Sequence, residues 1–235
     1  MVTIRDVARL AGVAPATVSR VINDRGNVKP ETREKVERAI KELAYIPNDL
    51  GPSLRGRRTG TLALVVTDIT NPFWTWLARG VEDAANRQGH HIIIGNTDES
   101  AAKQSEYIDF LLRKQVDGFV LVPASSRTID PLLRHGRPVV LVDRTVPDVE
   151  VDTVRGDSEG GAYELVSRLL QLGHERVTMI AGPREASTSV ERVMGYERAL
   201  TEAGLEGSRR VMWGPFSADS AREQALRALG APTRP

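Results

Sequence analysis

A chain of 235 residues with no cysteine can hold no disulfide framework and no thiolate metal site, and its four histidines (His90, His91, His135, His174) stand in no metal-ligand spacing. No apolar run approaches the length of a membrane span, and the start MVTIRDVARL lacks a signal-peptide core, so the expectation is a cytoplasmic chain with no membrane, metal or cofactor. The net charge of +1 is unevenly spread: residues 1 to 60 carry 12 Lys or Arg against 7 Asp or Glu, a net of +5, and the remainder carries 20 against 24, a net of −4, which suits a basic head that meets a polyanion.

The head opens with Thr3 and Asp6 in a capping arrangement. Ile4, Val7, Ala8 and Ala11 then repeat at helical spacing, and Gly12 stands where a helix turns left-handed and ends. Pro15 suits the first turn of a second helix with the apolar stripe Val18, Val21 and Ile22. A third helix is expected from Pro30 to about Tyr45, with Val36, Ala39, Ile40 and Leu43 inward. Two short helices on a glycine turn, the second with a polar outer face, make a helix-turn-helix pattern. On that face Ala16, Thr17, Arg20 and Asn23 fall close enough to enter a major groove together. There Arg20 can make a bidentate contact to guanine, and Thr17 can meet a thymine methyl or a phosphate; Ser19 and Asn23 read as phosphate anchors. Taken alone, the same face could be the solvated side of a small bundle.

The stretch TIRDVARLAGVAPATVSRVINDRGNVKPETREKVERAIKELAYIPN resembles the DNA-binding head of the lactose-repressor family of bacterial transcription regulators, and the resemblance continues along nearly the whole chain. It implies a domain at 1–47, a hinge at 48–60 that becomes helical on DNA, and an effector-binding and dimerisation domain at 61–235. In such a hinge Leu54 would wedge into the minor groove, with Arg55, Arg57 and Arg58 near phosphates. The DNA-contacting set is then Thr3, Ala16, Thr17, Ser19, Arg20, Asn23, Leu54 and Arg55. The chain departs from the family at Gly51-Pro52, where helix formers are usual, and at Ala14, where a serine cap is usual.

From Thr61 the period changes. Apolar runs (TLALVVTD, HHIIIGNT, DGFVLVPA, RPVVLVDR, then RVTMIAG and RRVMWGPF) alternate with amphipathic stretches, which implies parallel sheets covered by helices. The expected fold class is a small all-α head plus an α/β, periplasmic-binding-protein-like body of two lobes, the second incomplete. The order resembles the family's effector domain, where a ligand lies between lobes at strand ends. Asp68 and Asn71 close the first strand, with Phe73 and Trp74 placed to line the cleft; Trp76 reads as core. Aromatic faces beside a carboxylate suit a sugar. Arg192 matches a family arginine that reaches the effector, and Asp157 lies in a matching loop near the cleft.

That loop, Gly156 to Gly160, also has the G-x-S-x-G spacing of a hydrolase nucleophile elbow around Ser158. A triad needs a later histidine, and the later one, His174, falls at the far end of the helix that Ser158 would open. No enzyme is expected. Only two strands of the second lobe precede the terminal GAPTRP, so the chain reads as a C-terminally truncated family member whose dimerisation would be impaired. The expected partners are operator DNA, a small effector of the sugar class and a second copy of the chain. The rival readings are a small-molecule (sugar) binding protein without gene control, and a truncated form that binds DNA weakly without effector response.

Overall fold

Thr3 starts the first helix, α1 (Ile4–Ala11), through a reciprocal capping box. Its amide and hydroxyl both donate to Asp6 Oδ2, at 3.0 and 2.7 Å, and these bonds hold the Asp6 carboxyl below its ordinary value. The computed structural model describes residues 2–24, 26–46, 59–124 and 129–231, and the chain divides into two units, Met1–Thr59 and Gly60–Pro235.

In the first unit, Gly12 (φ 67°) ends α1, with the Val13 amide donating to the Ala8 carbonyl at 3.0 Å. Helix α2 (Pro15–Ile22) follows at once; its cap, Ala14, provides no side-chain bond. Helix α3 (Pro30–Glu42) stops short of the expected Tyr45. Ala44 takes the left-handed conformation (φ 45°), and the Tyr45 amide turns back onto the Ile40 carbonyl at 3.0 Å. The chain therefore closes a glycine-type cap with an alanine, a stop that composition does not announce. Val7, Ala8, Val18, Val21, Val36 and Ala39 form the core, two from each helix. Leu54, Arg55, Arg57, Arg58 and the Gly51-Pro52 pair lie outside the described residues.

The second unit holds a five-stranded parallel sheet in the order β2-β1-β3-β4-β5: β1 (Thr61–Val66), β2 (His91–Asn96), β3 (Gly118–Leu121), β4 (Val139–Val142) and β5 (Asp152–Val154). Alternate residues of β1 serve two cores. Leu64 and Val66 pack with Trp74 and Ala78 of α4 (Pro72–Arg87), whereas Ala63 and Val65 pack with Ile108 and Leu111 of α5 (Ala101–Arg113) and Leu132 of α6 (Asp130–Arg134). Burial on both faces explains why the strand reads as a continuous apolar run.

The second lobe carries α7 (Ser158–Gln171), β6 (Thr178–Ala181), α8 (Ser187–Glu202), β7 (Arg210–Trp213) and α9 (Ala218–Leu229). Among the described residues its sheet is the parallel pair β6-β7. Helices α7 and α8 approach until their backbones nearly touch at Gly195, where an added Cβ would stand 2.1 Å from the Glu159 carbonyl oxygen. Tyr196, fully buried beside it, donates to the Val177 carbonyl (2.7 Å) and accepts from the Arg210 amide (2.8 Å), tying α8 to the amino-terminal ends of both strands of the small sheet.

Candidate functional site

Two surfaces gather the residues that the sequence singles out. On the first, Ala16, Arg20 and Asn23 are exposed along α2, at helical spacing, with Thr17 and Ser19 half-buried at its margins. Arg20 is exposed, and among the described residues no side chain pairs with it, which leaves its guanidinium donors facing outward. Thr3 is exposed but committed to Asp6. Asn23, expected as a phosphate anchor, is engaged by its own helix. It ends α2, and its amide nitrogen donates to the Ser19 carbonyl at 2.7 Å and to Ser19 Oγ at 3.4 Å. Both hydrogens are then directed at the helix, and the free Oδ1 can only accept. Asp24, in the left-handed conformation just beyond, is paired with Arg33 at 2.7 Å, fixing the turn toward α3.

The second surface is a cleft of about 850 Å³ in the second unit, built at the carboxyl ends of the parallel strands, where an order of this kind reverses direction. It receives Asp68, Phe73, Trp74, Asp157 and Arg192, all five of the expected effector residues. Asp68 Oδ1 accepts from the Thr70 amide (2.9 Å) and hydroxyl (2.6 Å), which fixes the turn after β1. Asn71 caps α4 by accepting from the Phe73 amide at 3.0 Å. Phe73 is 53% exposed and offers its ring, while Trp74, 4% exposed, meets it edge-on at 4.7 Å and belongs to the core. Trp76 is corrected: it is 71% exposed rather than core. Residues two apart on a helix face roughly opposite ways, so burying Trp74 against the sheet turns Trp76 outward. Asp157 caps α7 through Oδ1 on the Gly160 amide at 2.7 Å.

Sequence reasoning missed Glu99, Asp143, Arg144 and Phe216, which also line this cleft. Glu99 and Arg144 stand 45 positions apart, and only the sheet order joins the ends of β2 and β4. Their one local signal is a run of charged residues directly after an apolar strand. Burial raises the Asp143 carboxyl above its ordinary value, opposed by the nearby Arg144 and Arg192 guanidiniums. Phe216, in the loop before α9, reaches the cleft from the second lobe, and Arg144 stands 5.4 Å from its ring. The lobes also meet where the Thr145 amide donates to Ser187 Oγ (3.1 Å) and Arg155 pairs with Glu191 (2.6 Å).

Ser158 opens α7 and His174 lies beyond its last residue, so some 20 Å of helix separates them. They cannot form a nucleophile–base pair. Among the described residues no group of three or more His, Asp and Glu could hold a metal, and no helix is long and apolar enough to cross a membrane.

Residues 3–48 match the family described as bacterial regulatory proteins, lacI family, and residues 59–231 match periplasmic binding proteins and the sugar binding domain of the LacI family. Catabolite control protein A of Priestia megaterium is 36% identical over 238 residues, a match covering 100% of this chain and 72% of that protein. The HTH-type transcriptional regulator DegA of Bacillus subtilis (strain 168) is 35% identical over 239 residues, covering 98% and 71%. Among solved structures, the transcriptional regulator CelR in complex with cellobiose is 36% identical with a TM-score of 0.65. The lac repressor dimer bound to operator and the anti-inducer ONPF is 26% identical with a TM-score of 0.82. Each structural match covers 97% of this chain and 70% of the other.

Proposed function

This chain belongs to the LacI family of bacterial regulatory proteins, and from that premise we propose that it is a sequence-specific DNA-binding transcriptional repressor whose operator affinity is set by a small metabolite of the sugar class. The observation that carries the DNA half is the outer face of α2, where Arg20 is exposed on a basic head. A short helix covers few base pairs, so one copy reads too little sequence for high selectivity, and two copies on a two-fold symmetric operator supply the rest. The relative solved on operator DNA is a dimer, and its arrangement supports this assembly.

In this reading residues 1–47 read the operator with Thr3, Ala16, Thr17, Ser19, Arg20 and Asn23, the last of which also ends the helix. Residues 48–60 would link the two parts, with Leu54 as the minor-groove wedge and Arg55 on phosphates. Residues 61–235 hold the effector. Phe73 and Phe216 offer ring faces from the two lobes, and Asp68, Asp143, Asp157 and Arg192 offer polar contacts to hydroxyls. The cleft takes a ligand, and Ser158 and His174 stand at opposite ends of α7. Such a regulator works in the cytoplasm, beside its operator.

Selection from random-sequence duplexes tests the proposal. Enrichment of a two-fold symmetric sequence is expected, and recovery of duplexes without any shared sequence would refute it.

A further inference from the structure

The polar wall of the cleft contains a guanidinium that is almost wholly desolvated. Arg144 is 5% exposed, and its Nη1 and Nη2 donate to Glu99 Oε2 and Oε1, each at 2.7 Å, with Nη1 also 3.2 Å from the Pro123 carbonyl. Its Nε is buried, has no hydrogen-bond partner among the described residues and lies 3.9 Å from Asp143 Oδ2. Glu99 reaches it from a turn in which Asp98 and Glu99 are both left-handed, at φ 50° and 57°. Two adjacent non-glycine residues in that region are held there by their surroundings. Asp98 is tied to Lys103 and to Asn96, whose own Oδ1 accepts from the Ile69 amide at 3.0 Å.

We propose that Glu99 decides which class of ligand this cleft accepts: by neutralising Arg144 in a desolvated wall, it selects uncharged polyhydroxylated ligands over those bearing a phosphate or carboxylate. This rests on the reading of the cleft as a small-molecule site. A guanidinium forked onto a carboxylate keeps a donor to offer but brings no net charge, and the neighbouring Asp143 carboxylate repels an anion. A hydroxyl suits both, since it accepts from a donor and donates to a carboxylate at once. Glu99 is a positioning residue, acting through Arg144.

The test is calorimetric titration of the full chain with glucose, galactose, maltose and cellobiose, and with a phosphate ester of each. The wild type should bind at least one neutral sugar about tenfold or more tighter than its ester. Glu99→Gln, checked for folding by thermal denaturation, should move that ratio about tenfold or more toward the ester, because the freed charge then strengthens a phosphate contact. A merely structural role would weaken both ligands and leave the ratio unchanged, which overturns the proposal. An ester bound as tightly as its sugar by the wild type overturns it without any variant. No response to either class would remove the reading of the cleft as a sugar site, and this proposal with it.

Discussion

Arg20 and Asp143 face opposite demands. Arg20 stands in solvent and costs the fold nothing, so its removal should be felt only on DNA. Arg20→Ala is expected to weaken operator binding by about 1–3 kcal/mol and relax sequence preference. Gel shifts on operator and random duplexes measure both, and equal weakening on the two would assign Arg20 to phosphate alone. Asp143 is half-buried, and burial is the largest influence on its carboxyl, raising it above the ordinary value. A carboxyl raised on folding makes its ionised form a penalty to the fold. That penalty is absent below the unfolded value near ~3.9 and fully present above the raised folded one. Asp143→Asn should therefore raise the melting temperature at pH 7, with a gain that shrinks as pH approaches ~4, while sugar affinity falls. Asparagine also tolerates the φ of 67° at this position. A lower melting temperature at pH 7 would mean that attraction to Arg144 and Arg192 outweighs desolvation. Arg20 was legible in the sequence because its face is set by local helical spacing. Glu99 and Arg144 were not, because their partnership exists only once β2 and β4 share a sheet.

Elements were most legible where backbone chemistry is local. Gly12 and Pro15 mark the turn between α1 and α2 in the sequence as plainly as in the fold. The end of α3 was misplaced because alanine, a strong helix former, takes the left-handed cap at Ala44. An aromatic residue two positions from Trp74 suggests core, and only the phase of the helix against the sheet turns Trp76 outward. Close approach of helices is the least legible feature of all. Gly195 sits in a helical stretch where alanine would serve propensity better, yet the carbonyl of Glu159 occupies the space a Cβ needs. Gly195→Ala should push α7 from α8 and destabilise the second unit by about 1–3 kcal/mol in urea unfolding. A change within about 0.5 kcal/mol, the usual surface range, would show that the pair yields without loss.

Across the whole molecule, the alternation of apolar runs with amphipathic stretches was enough to foresee parallel sheets, since strands buried on both faces, as β1 is, read as continuous apolar runs. The cleft followed in outline, because parallel strands carry ligands at their carboxyl ends. Its charged wall did not follow. The central claim, however, belongs to the basic head: that the outer face of α2 reads sequence and is more than an electrostatic patch. Affinity of the full chain for duplexes from the promoter flanking its own gene, set against scrambled duplexes of equal length at one physiological salt concentration, tests it most directly. We expect one promoter duplex to bind at least ~10³-fold more tightly than its scrambled counterpart. Equal affinity for both, falling together as salt rises, would contradict it.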